Sequence, residues 1–350
     1  MAQPWTVGRI LSWMEGFLGE HGDENPRLSA QWLVSDALGV SRIQLYADLA
    51  RPLTLEERDV LRAYTKRRAA GEPLQYITGT TDFRFITVDV RPGVLIPRPE
   101  TEVLVSEALA EVRAVDRARK AAAVPALEGS AEAGAGDGDA AGRSADATDA
   151  DGKAAQGSAA PACDPFLAVD ACTGSGCIAC SLAHEIPDAQ VCATDISAEA
   201  VGLARHNAEK VGVADRVTVA EGDLLDPVGA PWRGAARLVI SNPPYVPTSV
   251  VDGLPREVRA HEPRLALDGG VDGLDLYRRL LGQAAEVLAP EGVLAVELHE
   301  TCLDEAARLA SAAGFEGVRI ACDLAGRPRV LIARMPAADP DHPMISETGE

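Results

Sequence analysis

The tetrapeptide Asn242-Pro243-Pro244-Tyr245 is the most distinctive chemical feature of the sequence. Its prolines carry no N–H donor, so the backbone offers carbonyl oxygens that only accept hydrogen bonds, beside an Asn amide and a Tyr ring. Acceptors on both hydrogens of a planar amino group favour the pyramidal nitrogen needed for nucleophilic attack. Asn242 Oδ1 and the Pro243 carbonyl are the predicted acceptors, with the Tyr245 ring packed on the planar group. Such catalysis by orientation and electrostatics needs no metal and no covalent intermediate.

A loop of small residues precedes this tetrapeptide in the chain. It follows the strand-like segment 166–171, and a helix is predicted from Gly176. Glycines let a ligand approach the backbone, and the helix N-terminus offers free N–H groups. The loop is therefore either a plain turn or a nucleotide-binding loop, and its residues are Cys172, Thr173, Gly174, Ser175 and Gly176.

Aspartates end three consecutive strand-like segments, at Asp170, Asp195 and Asp223. Asp195 comes 25 residues after Asp170, close to where nucleotide-binding sheets carry an acid that binds ribose hydroxyls. One such Asp alone is usually a helix cap or turn residue. The series of three predicts a row of acceptors along one rim of a sheet.

Apolar strands alternate with helices through the C-terminal half, which predicts an α/β fold with a doubly wound, mostly parallel sheet. Ligands of such sheets bind beyond the carboxyl ends of the strands, so the loop, the acids and the tetrapeptide should meet at one rim. The predicted strands are 166–171, 190–196, 217–223, 236–242, 292–298, 318–323 and 329–334, and the helices after the first are 198–212, 274–289 and 304–314.

A small helical domain is predicted for residues 1–72, where apolar residues have helical spacing and Thr54 with Glu57 forms a capping box. Residues 73–99 contain a β-like stretch and helix-breaking prolines, which predicts a hairpin linker. The catalytic domain then spans residues 100–335, and residues 336–350 are predicted to form a flexible tail.

An insertion interrupts this domain at residues 121–160, where 23 of 40 residues are Ala or Gly and none is aromatic. So little apolar surface cannot offset the entropy of ordering the chain. We therefore expect this insertion to be disordered and dispensable.

The overall composition fits a globular protein of two folded units, with 350 residues, 47% of them hydrophobic, and a net charge of −20. The acidic excess is concentrated in residues 166–350, which hold 28 acidic and 15 basic residues, and this disfavours binding to nucleic acid. No apolar run approaches the roughly 20 residues of a membrane span. A cytoplasmic protein with reduced thiols is expected.

Three cysteines, Cys172, Cys177 and Cys180, have the C-x4-C-x2-C spacing of a plant-type iron–sulfur site. A cluster would need a fourth ligand and a loop without regular strands, whereas Cys192 lies in a predicted strand. The cysteines are therefore interpreted as small core residues, and no metal site is predicted.

The N-P-P-Y after the fourth strand resembles that of S-adenosylmethionine-dependent amino-methyltransferases. Two further blocks resemble the peptide-chain release factor glutamine methyltransferases: residues 71–85 leading to LIPRPETE at 95–102, and DLAGRPRVLIAR at 323–334. This resemblance implies a seven-stranded class I methyltransferase fold with S-adenosylmethionine as cofactor. It also implies methylation of the glutamine side-chain amide in the Gly-Gly-Gln motif of class 1 release factors, docked on the helical domain.

The same resemblance implies residue roles. Asp170 and residues 172–176 would bind the cofactor, with Asp195 on the ribose hydroxyls, Asp223 and Leu224 near the adenine, and Asn242 beside the reacting groups. The tetrapeptide would hold the glutamine, with Asn242, Pro243 and Tyr245 catalytic and Pro244 in contact with substrate. The residues implied to close over the site are Phe83, Arg98, Glu100 and Glu102.

Departures from the family pattern include Cys172 in place of the first loop glycine and His261 in place of a phenylalanine. Two alternative substrates stay open, since N-P-P-Y also serves enzymes that methylate flipped-out bases, and a ribosomal-protein glutamine would need similar chemistry. The acidic catalytic lobe argues against a nucleic acid. A protein that only binds ligands is disfavoured because Gly174, Gly176, Asp195 and the complete tetrapeptide are present.

Overall fold

The structure is a computed structural model that describes residues 4–123 and 165–338. It begins with five helices, α1 (Val7–Glu20), α2 (Pro26–Leu38), α3 (Arg42–Ala47), α4 (Leu55–Ala69) and α5 (Leu74–Thr78). Their apolar faces meet in a small core that includes Met14, Leu33 and Leu61. Thr54 and Glu57 form the expected capping box at the start of α4.

A hairpin of β1 (Thr80–Phe83) and β2 (Ile86–Asp89) follows, as predicted for the linker. Asp89 connects the hairpin to the next domain through two hydrogen bonds. The Asp89 backbone nitrogen donates to Asn207 Oδ1 at 2.8 Å, and the Asp89 carboxylate is hydrogen-bonded to His206 Nε2 at 2.7 Å. The chain then leads into α6 (Pro99–Ala123), which starts at the beginning of the predicted catalytic domain. At its other end Arg119 pairs with Glu291 at 2.7 Å.

The main sheet has seven strands: β3 (Phe166–Ala171), β4 (Ala189–Asp195), β5 (Val217–Glu221), β6 (Ala236–Ser241), β7 (Leu288–Glu297), β8 (Glu316–Cys322) and β9 (Pro328–Arg334). Their order is β5-β4-β3-β6-β7-β9-β8, and only β9 runs antiparallel to its neighbours. The strand order reverses between β3 and β6, which are paired in parallel. A ligand crevice is expected beyond their carboxyl ends.

Helices cover both faces of this sheet, which confirms the doubly wound α/β prediction. These are α6, α7 (Cys177–Glu185) and α8 (Ala198–Val211) on one face and α11 (Asp275–Val287) and α12 (Leu303–Ala312) on the other, whereas the short helices α9 (Thr248–Val251) and α10 (Arg256–His261) lie in the segment between β6 and α11. One core cluster joins the sheet to α6, α7, α8 and the hairpin, and the other joins it to α11 and α12.

Two predicted boundaries differ from the structure by more than two residues. β7 begins at Leu288, inside the predicted helix 274–289, because Leu288 already pairs with Ala236 before a register shift in the ladder. Helix α6 continues to Ala123, so residues 121–123 of the predicted insertion are helical. The rest of that insertion, residues 124–160, and residues 339–350 of the predicted tail lie outside the described residues. No helix in the described part of the chain is long and apolar enough to cross a membrane.

Candidate active site

An open cleft lies at the carboxyl ends of β3 to β6, with about 1120 Å³ of empty space including the part open to solvent. Small-molecule sites have this position in doubly wound sheets. Its walls come from the linker at residues 93–98, the loop after β3, the ends of β4 and β5, and the tetrapeptide. The predicted site residues in these walls are Arg98, Cys172, Thr173, Gly174, Ser175, Asp195, Asp223, Leu224, Asn242 and Pro244.

The loop after β3 is built around left-handed backbone conformations. Gly174 has φ +56° and Gly176 has φ +79°, and Gly176 is the residue before the first turn of α7. A Cβ on Gly176 would lie 2.9 Å from Ala204 Cβ, so only glycine lets the loop pack on α8. Cys172 has φ +58°, a region that accepts a side chain at a cost of about 1 to 3 kcal/mol.

Asp170 supports this loop from behind. Its Oδ2 accepts a hydrogen bond from Thr173 Oγ1 at 2.6 Å and another from the Ala179 nitrogen at 3.1 Å. Its Oδ1 is buried and has no hydrogen-bond partner. Burial raises the pKa of Asp170 to about 7. The carboxyl group therefore shapes the loop and keeps one acceptor unused.

Asp195 joins the same loop to the end of β4. Its Oδ2 accepts from the Gly174 nitrogen at 2.8 Å, and its Oδ1 accepts from the Ser197 nitrogen at 2.9 Å. Burial raises its pKa, although these backbone donors oppose the shift. Each oxygen retains a second lone pair, so the carboxylate can accept two further hydrogen bonds from hydroxyls in the cleft.

The next acid, Asp223, forms an ion pair with Arg279 of α11. Leu224 has φ +47° and is buried, and its carbonyl accepts from Thr194 Oγ1 at 2.6 Å. The pair and the leucine form one end of the cleft, polar on one side and apolar on the other.

The tetrapeptide follows β6 directly. Asn242 Nδ2 donates to Thr101 Oγ1 at 2.9 Å, and Tyr245 Oη donates to Glu297 Oε1 at 3.1 Å. Burial and the neighbouring Glu297 raise the pKa of Tyr245 far above its usual range, so the phenol stays protonated. Gly269 lets a second chain segment pass behind it, because a Cβ there would lie 2.7 Å from Tyr245 Cα.

Comparison with known proteins decides which enzyme family has this arrangement. Residues 9–79 match the PrmC N-terminal domain, and residues 165–254 match the methyltransferase small domain. A release factor glutamine methyltransferase of Geobacter sulfurreducens is 40% identical over 331 residues, covering 95% of this chain and 97% of the relative. One of Moorella thermoacetica is 38% identical over 318 residues, covering 90% and 94%.

The chain belongs to the release factor glutamine methyltransferase family. It is an S-adenosylmethionine-dependent protein-glutamine N-methyltransferase, as the motifs predicted. Among solved structures, a methyltransferase from Pyrococcus furiosus is 20% identical, with a TM-score of 0.37 over 49% of this chain and 76% of that chain.

The cleft of this methyltransferase fits its cofactor. S-adenosylmethionine carries a positively charged sulfonium and an ammonium group. The carboxylates of Asp195 and Asp223 line the cleft. The Oδ1 atom of Asp170, which has no hydrogen-bond partner, lies behind the loop. The glycine loop leaves the backbone open at Gly174, and Leu224 gives an apolar contact. The set therefore combines carboxylate acceptors for hydroxyls with an apolar surface for a base.

The four residues expected to close over the methyltransferase site lie in different places. Arg98 lines the cleft and pairs at 2.5 Å with Glu262, whose side chain is only 1% exposed. Phe83 is 1% exposed inside the core between the hairpin and the sheet. Glu100 and Glu102 lie in the first turn of α6, and neither is among the described residues that line the cleft.

The cysteines of the C-x4-C-x2-C segment and of β4 are small side chains that are mostly buried. Cys177, Cys180 and Cys192 are buried, and Cys172 is partly exposed at the cleft wall. Burial raises the pKa of Cys180 to about 12 and that of Cys192 to about 11, so both thiols are neutral. No group of three or more metal-ligating side chains occurs in the parts of the chain that the structure describes.

Two buried polar residues that bind the tetrapeptide, directly or through each other, were not predicted from the sequence. Thr101 is 2% exposed and Glu297 is 1% exposed, and Thr101 Oγ1 donates to Glu297 Oε2 at 2.8 Å. Burial raises the pKa of Glu297 to about 7. The available signal was an acid within the apolar strand VLAVEL, because acids are almost never fully buried unless they are paired.

Proposed function

We propose that this enzyme methylates the side-chain amide nitrogen of the glutamine in the Gly-Gly-Gln motif of class 1 peptide-chain release factors. The orientation of Asn242 carries the proposal. Its Nδ2 is engaged by Thr101, which leaves Oδ1 as the group that can accept from a substrate nitrogen. Release factors are the substrates named for relatives that match over almost the whole chain.

The chemical task is to make an amide nitrogen nucleophilic. Asn242 Oδ1 and the Pro243 carbonyl each accept one N–H of the substrate amide, which favours the pyramidal nitrogen and raises its reactivity. Preorganised acceptors of this kind act without reorganisation at the moment of reaction. When bound, S-adenosylmethionine supplies an electrophilic methyl group on its sulfonium. The substrate nitrogen would form its new bond to the methyl carbon as the sulfur–carbon bond breaks, which would release a neutral thioether. The nitrogen would then lose one proton to water in the open cleft.

The cofactor roles proposed for this chain follow the geometry of the cleft. Asp195 accepts hydrogen bonds from the ribose hydroxyls of S-adenosylmethionine. The loop at residues 172–176 surrounds the methionine part of the cofactor. Leu224 packs on the adenine beside Asp223. Arg98 contacts the substrate at the cleft wall, and its ion pair with the buried Glu262 holds the guanidinium in position.

Residues 1–72 are proposed to dock the release factor, with residues 73–99 as the connection to the catalytic domain. Large apolar side chains are exposed on these helices, including Trp13, Trp32 and Ile43, as expected for a protein-binding face. Arg68 of α4 forms ion pairs with Asp23, after α1, at 2.7 Å and with Glu257, in α10, at 3.0 Å. The docking part is thereby tied to the segment that follows the tetrapeptide.

Nucleic acid and membranes are not expected partners in this proposal. The net charge of −20 opposes binding to a phosphate backbone. A cytoplasmic location belongs to the same proposal, because translation termination takes place there.

The test is methyl transfer from radiolabelled S-adenosylmethionine to a purified class 1 release factor. Parallel reactions contain the factor with its Gly-Gly-Gln glutamine changed to alanine, ribosomal proteins, RNA and DNA. Label on the intact factor alone, located on that glutamine by peptide mass spectrometry, is the expected result. Label on ribosomal protein or nucleic acid, with none on the release factor, would overturn the substrate assignment.

A further inference from the structure

We propose that Thr101 and Glu297 are positioning residues that hold Asn242 and Tyr245 in their reactive orientation. The inference deepens the proposed function and rests on it, because it concerns how the tetrapeptide is held. Neither residue is assigned to the reacting atoms. Both act through the side chains that they bind.

The geometry is a continuous chain of hydrogen bonds. Asn242 Nδ2 donates to Thr101 Oγ1 at 2.9 Å, and Thr101 Oγ1 donates to Glu297 Oε2 at 2.8 Å. Tyr245 Oη donates to the other oxygen, Glu297 Oε1, at 3.1 Å. One carboxylate therefore fixes both the first and the last residue of the tetrapeptide.

The direction of these hydrogen bonds decides whether the Asn242 side chain presents its Oδ1 or its NH2 group to the cleft. A carboxylate with two donors accepts only, so the Thr101 hydroxyl proton points to Glu297 and its lone pair points to Asn242. Only the NH2 side of the Asn242 amide can occupy that position. The Oδ1 atom is then turned away from Thr101, toward the cleft that Asn242 lines.

Protonation of Glu297 would remove this constraint. A protonated carboxyl could donate to Thr101, whose hydroxyl could then donate to Asn242 Oδ1 and favour the reversed amide. The reversed amide would present its NH2 group to a substrate NH2, and two donors cannot bond to each other. The ionised form of Glu297 is therefore the active form.

The charged surroundings of Glu297 include both signs. Glu100 of α6 opposes its ionisation, and Arg329 of β9 favours it. His299 follows two residues later on the same segment, and its pKa is lowered by burial and by Arg329. Burial is the largest influence on Glu297 and raises its pKa to about 7, within the range where activity can be measured.

The first experiment compares Thr101→Val and Thr101→Ser with a matched control, Ser181→Ala. Ser181 is a buried serine of α7 whose hydroxyl donates to Glu185 Oε1 at 2.9 Å, and it does not line the cleft. For Thr101→Val we expect kcat to fall about 10- to 100-fold, since small misplacement of reacting groups has effects of this size. The KM for the release factor and the Kd for S-adenosylmethionine should stay within about threefold of wild type. Thr101→Ser should restore most of the lost kcat, and Ser181→Ala should keep the wild-type value.

The second experiment is the pH dependence of kcat at saturating substrates. Wild-type kcat should fall as the pH drops from 8 to 6, because Glu297 becomes protonated. In Glu297→Gln, kcat should be low throughout and this part of the acidic limb should be absent. Any acidic limb that persists in that variant belongs to Asp170 or Asp195, whose pKa values are also raised by burial.

A third measurement needs no turnover. The Asn242 side-chain NH2 signals, assigned in an NMR spectrum of 15N-asparagine-labelled protein by their loss in Asn242→Ala, should exchange slowly with solvent and shift with pH in the wild type. Thr101→Val should abolish both behaviours. This readout tests the proposed positioning even if the wild-type enzyme fails to methylate a release factor, which would overturn only the substrate assignment.

The inference is overturned if Thr101→Val and Glu297→Gln both keep kcat within twofold of Ser181→Ala. It is also overturned if Glu297→Gln keeps the full acidic limb, or if the Asn242 signals are indifferent to Thr101→Val.

Discussion

The Gly174 backbone nitrogen donates a 2.8 Å hydrogen bond to Asp195 Oδ2, and this bond joins the loop after one strand to the end of the next. The loop carries left-handed glycines, so it has little conformational preference of its own. Asp195 therefore fixes the loop, and in the proposed function its remaining lone pairs accept hydrogen bonds from the cofactor.

Replacement of Asp195 by alanine should weaken S-adenosylmethionine binding about 10- to 100-fold, because hydrogen bonds to charged groups each contribute about 1.5 to 3 kcal/mol. Isothermal titration calorimetry measures the effect directly. Asp215→Ala is the control, since Asp215 is an exposed acid in the turn before β5. An unchanged Kd in Asp195→Ala would contradict the assigned role.

Replacement of Asn242 by alanine should lower kcat at least 100-fold, because it removes a preorganised acceptor in the transition state. The Kd for S-adenosylmethionine should remain within about threefold of wild type. Single-turnover methylation and calorimetry separate the two quantities. A variant that kept more than a tenth of wild-type activity would contradict the proposed mechanism.

Gly176→Ala should destabilise the fold more than Gly212→Ala, although both glycines have φ +79°. A Cβ on Gly212 meets nothing within 4 Å, whereas a Cβ on Gly176 would lie 2.9 Å from Ala204 Cβ. The left-handed conformation alone costs about 1 to 2 kcal/mol, and overpacking adds about 1 to 3 kcal/mol at Gly176. Urea unfolding of both variants gives the difference, and equal losses would exclude the close contact.

Arg98→Met should lower the free energy of unfolding by about 3 to 5 kcal/mol, because it leaves the buried carboxylate of Glu262 without its partner. The double variant Arg98→Met, Glu262→Gln should recover much of this loss, since no buried charge then remains. Chemical denaturation at pH 8 measures all three proteins. A double variant as unstable as the single one would show that Arg98 acts through other contacts.

Stability should fall between pH 5 and pH 8 through two buried carboxyl groups. Burial raises the pKa values of Asp170 and Glu297 from 3.8 and 4.5 to about 7, so the folded state binds these protons more tightly than the unfolded state. Their contribution is fully present below the unfolded pKa values and is lost as the pH rises through about 7. In Glu297→Gln the free energy of unfolding should depend less steeply on pH. An unchanged slope would mean that Glu297 is already ionised at pH 5.

Much of the catalytic sheet could be predicted because its buried strands are short, nearly continuous apolar runs, such as FLAVDA and ARLVIS. The start of β7 could not, since Ala-Pro-Glu-Gly after Leu288 looks like a turn. The structure continues the strand through it, with Glu291 at φ +58°. Tertiary pairing with β6 determined this boundary rather than the local sequence.

The tetrapeptide and the loop were recognisable because their residues are contiguous. Thr101 and Glu297 were not, because their bonds join residues 141 and 196 positions apart, and side-chain contacts over such separations leave no local pattern. Phe83 illustrates the opposite difficulty. An aromatic residue in a hairpin reads the same whether it faces substrate or core, and its 1% exposure could come only from the structure.

Helix α6 begins at the cleft, where Thr101 binds Asn242, and its 25 residues extend about 37 Å at 1.5 Å each. Its far end pairs with Glu291 near the start of β7, at the rim where β3 also begins. The first described part of the chain therefore ends at Ala123 and the second begins at Pro165, and both residues lie on the side of the sheet opposite to the cleft. An affinity handle attached at this rim of the sheet would immobilise the enzyme with its cleft toward solution.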